Sequence, residues 1–164
     1  MERNRYESAF SGRYASPEMQ YLFSQDMKFS TWRRLWISLA KAEKATGLDI
    51  SDEQIAELEA HATDINYEDA EAYEKKLRHD VMAHIHAYGD LCPKARAIIH
   101  LGATSCYVGD NTDVIIMREA MLLIRKELVN LLNVLAKFAV EYKDMPCLAF
   151  TLSLIHISEP TRRS

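Results

Sequence analysis

TDVIIMREAMLLIRKELVNLLNVLAKFAVEYK, residues 112–143, contains neither glycine nor proline and repeats its apolar residues at helical spacing. Val114, Met117, Met121, Ile124, Leu128, Leu131, Leu135, Phe138 and Tyr142 advance by alternating steps of three and four, the seam of a heptad repeat. At 1.5 Å per residue, a helix from Thr112 to Lys143 runs for roughly 48 Å, more than so short a chain covers. Ile115, Ile116, Leu122, Leu123, Leu132 and Val134 widen the apolar stripe beyond a two-stranded seam. A stripe of that width calls for several neighbouring helices, supplied by sequence beyond this chain or by other subunits.

The remainder of the chain points to the same class. Five glycines and four prolines in 164 residues leave long stretches without either, which favours long helices over a barrel or sandwich built on tight turns. With 48% hydrophobic and 27% charged residues the composition is that of a globular protein. The expected fold class is all-α. A net charge of −4 gives no general attraction to nucleic acid or to anionic lipid, so any anion must be bound locally. The opening MERNRYESAF has no apolar signal-peptide core, and no run of about 18 apolar residues suggests a membrane span. A cytoplasmic protein that binds neither nucleic acid nor membrane is expected. Cys92, Cys106 and Cys147 are odd in number and not closely paired, so they read as reduced packing residues.

Working back toward the N-terminus, SGRYASPEMQYLFS (11–24) reads as a loop entering a helix, with Ser16 as N-cap and Pro17 in the first turn. Between Asp26 and Thr46, Phe29, Trp32, Leu35, Trp36, Leu39 and Ala40 fall on one helical face, and Gly47 is a plausible stop. Ser51 and Gln54 form a capping-box pattern at the head of SDEQIAELEAHA. Residues 66–76 run from acidic to basic, as the helix dipole favours. Both of these helices read as solvated outer elements. LRHDVMAHIHAYGDLCP (77–93) reads as a helix ended by Gly89 and Pro93.

Three polar constellations sit at or near expected helix N-termini: Arg13 with Tyr14, Arg78-His79-Asp80, and Thr104 with Ser105. Unpaired N–H groups and the positive dipole end favour a phosphate or carboxylate there, while arginine adds a bidentate charged donor and the hydroxyls neutral ones. Taken singly, each also fits a solvated charge, a surface ion pair or an ordinary cap; together they suit an anionic small molecule. Gly102 permits close backbone approach or an unusual dihedral. His79, His84 and His86 do not reproduce the H-E-x-x-H spacing, and no cysteine or further histidine pair completes a tetrahedral set, so no metal site is expected. His79 and His86, seven residues apart, can share a face that His84 does not.

SGRYASPEM, LRHDVMAH and IIHLGATSCYVGDNTD, in that order and spacing, resemble the N-terminal motifs of the adenylosuccinate lyase family within the fumarase and aspartase superfamily. The resemblance covers residues 1–151. It implies β-elimination of fumarate from adenylosuccinate, giving AMP, and from the succinylated aminoimidazole carboxamide ribotide of purine synthesis, with no metal or redox cofactor. Such chemistry needs a base for a weakly acidic proton and an acid for the departing nitrogen. By the same resemblance Arg13 and Tyr14 hold the phosphate end of a purine nucleotide. Arg78, His79 and Asp80 contact substrate, His79 orienting it with an accessory part in proton transfer. Thr104 and Ser105 bind the carboxylate that leaves as fumarate. The family's full-length form is a homotetramer with a shared central helical bundle.

After Thr151 the chain reads LSLIHISEPTRRS, where the family continues with a segment like T-H-F-Q-P-A-Q carrying its general acid. The string resembles the translation of a sequencing adaptor, so residues 152–164 are expected to be a non-native tail, and His156 no replacement for the acid. The base-carrying serine loop of the S-S-x-M-P-x-K-x-N-P type has no counterpart either. The expected organisation is an N-terminal helical domain over 1–111, the truncated start of a central bundle over 112–151, and the tail. Lacking both proton-transfer groups, the 164 residues are expected to be inactive. The competing reading is a non-catalytic helical oligomerisation module, supported by the heptad seam and opposed by the polar motifs. A sister lyase acting on argininosuccinate or fumarate is opposed by RHDVMAH and LGATSCYVGDNTD.

Overall fold

A computed structural model describes residues 8–146, all helix, turn and connection with no strand among them. The expected change of register after Thr151 lies outside the described residues. A single π-helical turn, Phe10–Tyr14, takes the place of part of the expected loop. Six α-helices follow: α1 Pro17–Leu22, α2 Gln25–Ala45, α3 Asp52–Ala60, α4 Tyr67–Leu77, α5 Asp80–Leu91 and α6 Ser105–Tyr142. The chain divides into two compact units, Met1–Ile124 and Arg125–Ser164.

The caps are those that the local sequence dictates. Ser16 Oγ accepts the Met19 N–H at 3.2 Å at the head of α1. Ser51 and Gln54 satisfy one another's backbone N–H groups at 3.2 and 3.0 Å, closing the capping box of α3. At the C-terminus of α2, Gly47 takes φ +101°. The Gly47 N–H donates to Lys44 O at 3.0 Å and the Leu48 N–H to Glu43 O at 3.1 Å, a Schellman closure that a side chain at residue 47 would strain.

The core of the first unit gathers Trp32 and Trp36 of α2, Ile55 and Leu58 of α3, Val81 and Tyr88 of α5, Ile98 and Ile99 of the following connection, and Val108 of α6. Complete burial of a side chain such as Leu58 contributes roughly 1.5–3 kcal/mol. The outer role expected of α3 is therefore incomplete, because Ile55 and Leu58 face inward while its acidic side meets solvent. The Tyr88 hydroxyl donates to Leu58 O at 2.6 Å. Arg33, 2% exposed, donates to the His61 carbonyl at the end of α3 and lies 4.3 Å from the Tyr88 ring centre. A charge so far from water is sustained by that bond and that ring face.

Two expectations about the helices change. Gly89 does not end α5, which continues to Leu91. Gly89 is buried, and a Cβ there would lie 2.8 Å from Arg96 Cγ, so the glycine makes room for a crossing side chain and is not a stop. The long helix begins at Ser105, seven residues before Thr112. Within the first unit its buried residues are Val108, Thr112, Ile116 and Ala120, a stripe with steps of four. Seam residues Val114, Met117, Met121 and Ile124 are at least half exposed there. In the second unit, the described helical residues, Leu128, Leu131 and Leu135 among them, are exposed, and Phe138 and Tyr142 pair one turn apart with ring centres 4.6 Å apart.

Candidate functional site

The sharp reversal between α4 and α5 sets up the first part of the site. Arg78 ends α4 in the left-handed region, φ 55°, its N–H bonded to Glu74 O at 2.8 Å. That turn lets His79 cap α5 immediately: its Nδ1 accepts the Met82 N–H at 3.4 Å. A backbone N–H only donates, so Nδ1 is the bare nitrogen and the ring proton sits on Nε2. His79 Nε2 lies 3.1 Å from Ser105 Oγ, where it donates to the hydroxyl oxygen. Asp80 Oδ1 accepts the Val81 N–H at 2.8 Å and stands 3.7 Å from His79 Nδ1, an ion pair only when the ring is protonated.

The second part is the connection between α5 and α6, which α3 and α2 hold in place. Gln54 Nε2 donates to Lys94 O at 2.9 Å, and a Glu57 carboxylate oxygen accepts the Ala95 N–H at 2.9 Å. Further along, His100 and Gly102 both adopt φ 65°, the second in line with the unusual dihedral expected of that glycine. The Trp36 indole N–H donates to His100 Nδ1 at 3.0 Å, and the Tyr107 hydroxyl donates to Leu35 O at 3.1 Å. These two bonds, one donated by α2 and one accepted by it, bracket Thr104 and Ser105 along the chain. Thr104 is exposed, its carbonyl accepting the Tyr107 N–H at 2.9 Å. Ser105 opens α6.

Charge is distributed unevenly around this connection. Burial lowers the His100 pKa below the ordinary histidine value, and the nearby His79 lowers it further. A Cβ on Gly102 would lie 3.7 Å from Glu43 Oε1. The other Glu43 carboxylate oxygen is buried without a hydrogen-bond partner among the described residues, and desolvation raises that carboxyl. The constellation thus offers the Ser105 hydroxyl at the N-terminus of α6, a helix end of the kind that favours an anion, with the carboxyl groups of Asp80 and Glu43 nearby and the first N–H groups of α5 already taken by His79 and Asp80.

Of the residues expected at the site, His79 and Ser105 are joined directly, with Arg78, Asp80 and Thr104 as their chain neighbours. Arg78 also borders a surface cleft of about 520 Å³ with Glu71, Glu74 and Lys75. Arg13 and Tyr14 are exposed on the π-helical turn, the guanidinium 5.4 Å from the Tyr14 ring centre. No hydrogen bond or ion pair among the described residues links either to the His79–Ser105 pair. His100 escaped the reading of polar constellations although it stands inside IIHLGATS; its apolar neighbours conceal it, and Gly102 was the local sign of an unusual backbone.

The three histidines considered together have separate environments. His84 is buried and stacked on Phe29 with ring centres 3.8 Å apart. His86 stacks on Tyr73 at 5.1 Å. No group of three or more His, Cys, Asp or Glu side chains among the described residues is placed to hold a metal ion.

No family model matches the chain. Individual relatives do. It is 52% identical over 151 residues, 90% of its length, to adenylosuccinate lyase of Saccharomyces cerevisiae. It is 52% identical over 149 residues, 89% of its length, to that of Schizosaccharomyces pombe. With the Schistosoma mansoni adenylosuccinate lyase it shares 43% identity over 150 residues, 92% of its length. The chain belongs to the adenylosuccinate lyase family. It spans about 31% of the length of each of these relatives. Membership agrees with the resemblance carried by RHDVMAH and LGATSCYVGDNTD, the strings that supply His79 and Ser105. Among the described residues no helix is long and apolar enough to cross a membrane.

Proposed function

We propose that this chain is the N-terminal part of an adenylosuccinate lyase whose whole form cleaves adenylosuccinate to AMP and fumarate, and the related succinylated ribotide likewise, by β-elimination. The observation that carries the reading at the site is the 3.1 Å contact between His79 Nε2 and Ser105 Oγ, because it brings two motifs 26 residues apart in sequence within one hydrogen bond. In this reading Arg13 and Tyr14 hold the phosphate end of the purine nucleotide. Arg78, His79 and Asp80 orient the substrate, and Thr104 and Ser105 bind the carboxylate that becomes fumarate. The same reading includes purine synthesis, a cytoplasmic location and a homotetramer assembled on the exposed seam of α6. Relatives that bear an enzyme's name favour it over a non-catalytic oligomerisation module.

Proton abstraction and protonation of the leaving nitrogen both need positioned groups. The segments to which the family resemblance assigns them have no counterpart in the 164 residues, so we propose that this chain by itself does not turn over substrate. The test is fumarate release from adenylosuccinate by two purified proteins, the whole gene product and the 164-residue chain. Turnover by the first alone is expected. An inactive whole product sinks the lyase reading, whereas an active 164-residue chain sinks the claim that it lacks the proton-transfer groups.

A further inference from the structure

Trp36 is 1% exposed within the aromatic core, where its ring meets Trp32 edge-on with centres 6.1 Å apart. One turn earlier on α2, the Trp32 indole N–H is buried without a hydrogen-bond partner among the described residues. The Trp36 indole, in contrast, reaches out of the core and donates to His100 Nδ1 at 3.0 Å, the two rings nearly perpendicular at 88°. An indole N–H has no acceptor capacity, so the nitrogen that receives it must be bare and the neutral ring must carry its proton on Nε2. His100 holds φ 65°, a conformation that a residue other than glycine keeps only where its surroundings over-determine it. The bond to Trp36 is one such constraint, and Gly102, also at φ 65°, continues the same reversal into Thr104 and Ser105.

We propose that Trp36 is a positioning residue for the candidate site: its indole N–H fixes the His100 tautomer, so that His100 presents an Nε2–H donor to the anionic substrate. The inference rests on the lyase reading above. It pairs His100 with His79, whose Nδ1 is fixed by the Met82 N–H and whose Nε2–H is turned to Ser105. Two imidazoles, one fixed by a helix cap and the other by a core tryptophan, are thereby held as donors through Nε2. The lowering of the His100 pKa by burial and by His79 acts in the same direction, since a protonated Nδ1 would have to give up the indole.

The experiment is a double-mutant cycle on the whole gene product with adenylosuccinate, joined to histidine-selective nitrogen NMR. Trp36→Phe keeps an aromatic ring and removes the donor; His100→Gln keeps an N–H near the Nε2 position but needs no tautomer. Trp36→Phe is expected to lower kcat/KM about tenfold, the loss of one hydrogen bond of ordinary strength, and to change it less than twofold in the His100→Gln background. Equal losses in both backgrounds mean that Trp36 acts only through packing, and overturn the proposal. In the spectra, His100 of the unsubstituted protein should show a bare Nδ1 and a protonated Nε2 at about pH 7, and Trp36→Phe a mixture. A mixed or Nδ1-protonated ring in the unsubstituted protein overturns the proposal even if a variant fails to fold. An unsubstituted protein without lyase activity overturns the functional reading instead, a result that neither the spectra nor the variants can imitate.

Discussion

His79 Nε2 and Ser105 Oγ lie 3.1 Å apart, one at the cap of α5 and the other at the first residue of α6. The Met82 N–H at His79 Nδ1 leaves Nε2 as the donor, so the helix cap determines the direction of the bond. In the reading proposed above, a carboxylate held at Ser105 accepts the hydroxyl proton, while the hydroxyl oxygen receives the His79 Nε2–H.

Removing Ser105 Oγ should be felt through His79. In the whole gene product, Ser105→Ala is expected to lower kcat/KM for adenylosuccinate at least about tenfold, and the combination with His79→Ala to cost less than the sum of the two single changes. Steady-state kinetics on the four proteins measures the coupling. Strict additivity would show that the contact has no part in substrate binding.

Stability should fall on acidification because of His84. The residue is 8% exposed; burial first, then Arg33, pulls its pKa from 6.5 down to about 4, with Lys28 also lowering it and Asp80 opposing. The folded state thus binds fewer protons than the unfolded chain between those values, so stability is full above about pH 6.5 and is lost as pH falls toward 4. The loss attributable to this group is on the order of 2–3 kcal/mol. Melting temperatures of the whole protein across that range should decline less steeply for His84→Phe, which keeps a ring against Phe29. Parallel curves for the two proteins would assign the acid sensitivity to other groups.

Gly89 and Arg96 should behave as a coupled pair. A Cβ at residue 89 meets Arg96 Cγ at 2.8 Å, and moving that stem endangers the 2.8 Å bond from Arg96 to Asp90. Gly89→Ala is expected to destabilise by about 1 kcal/mol, as overpacking does. Adding Arg96→Ala should reverse the loss, because alanine in a helix interior is favoured over glycine by roughly 0.5–1 kcal/mol. Thermal or urea unfolding decides it; a stabilising single substitution contradicts the clash.

Arg33 should not tolerate its usual replacement. Its guanidinium both bonds the His61 carbonyl and lies over the Tyr88 ring, a planar double contact that an ammonium group cannot reproduce. Arg33→Lys is expected to cost about 2 kcal/mol, mostly as a buried charge with a poorer partner. Urea unfolding midpoints give the comparison, and an unchanged midpoint would mean that lysine recovers both contacts.

Much of this architecture was legible in local chemistry. Ser16, Ser51 with Gln54, and Gly47 announce helix ends because capping involves residues a few positions apart, and the absence of glycine and proline from 112–143 announces a long helix. RHDVMAH and LGATSCYVGDNTD likewise pointed to His79 and Ser105 as members of one family pattern.

Other features depend on which element crosses which. Gly89 looks like a stop until Arg96 passes over it, and α6 starts at Ser105 between two bonds to α2, one from Trp36 to His100 and one from Tyr107 to the Leu35 carbonyl. The inward stripe Val108, Thr112, Ile116 and Ala120 does not coincide with the heptad seam, because burial follows the neighbours that the fold supplies and not periodicity alone. His100 is the plainest case: the sequence determined its place in IIHLGATS, but the proton position on its ring was decided by a tryptophan 64 residues away, since only tertiary packing brings an indole N–H to an imidazole nitrogen.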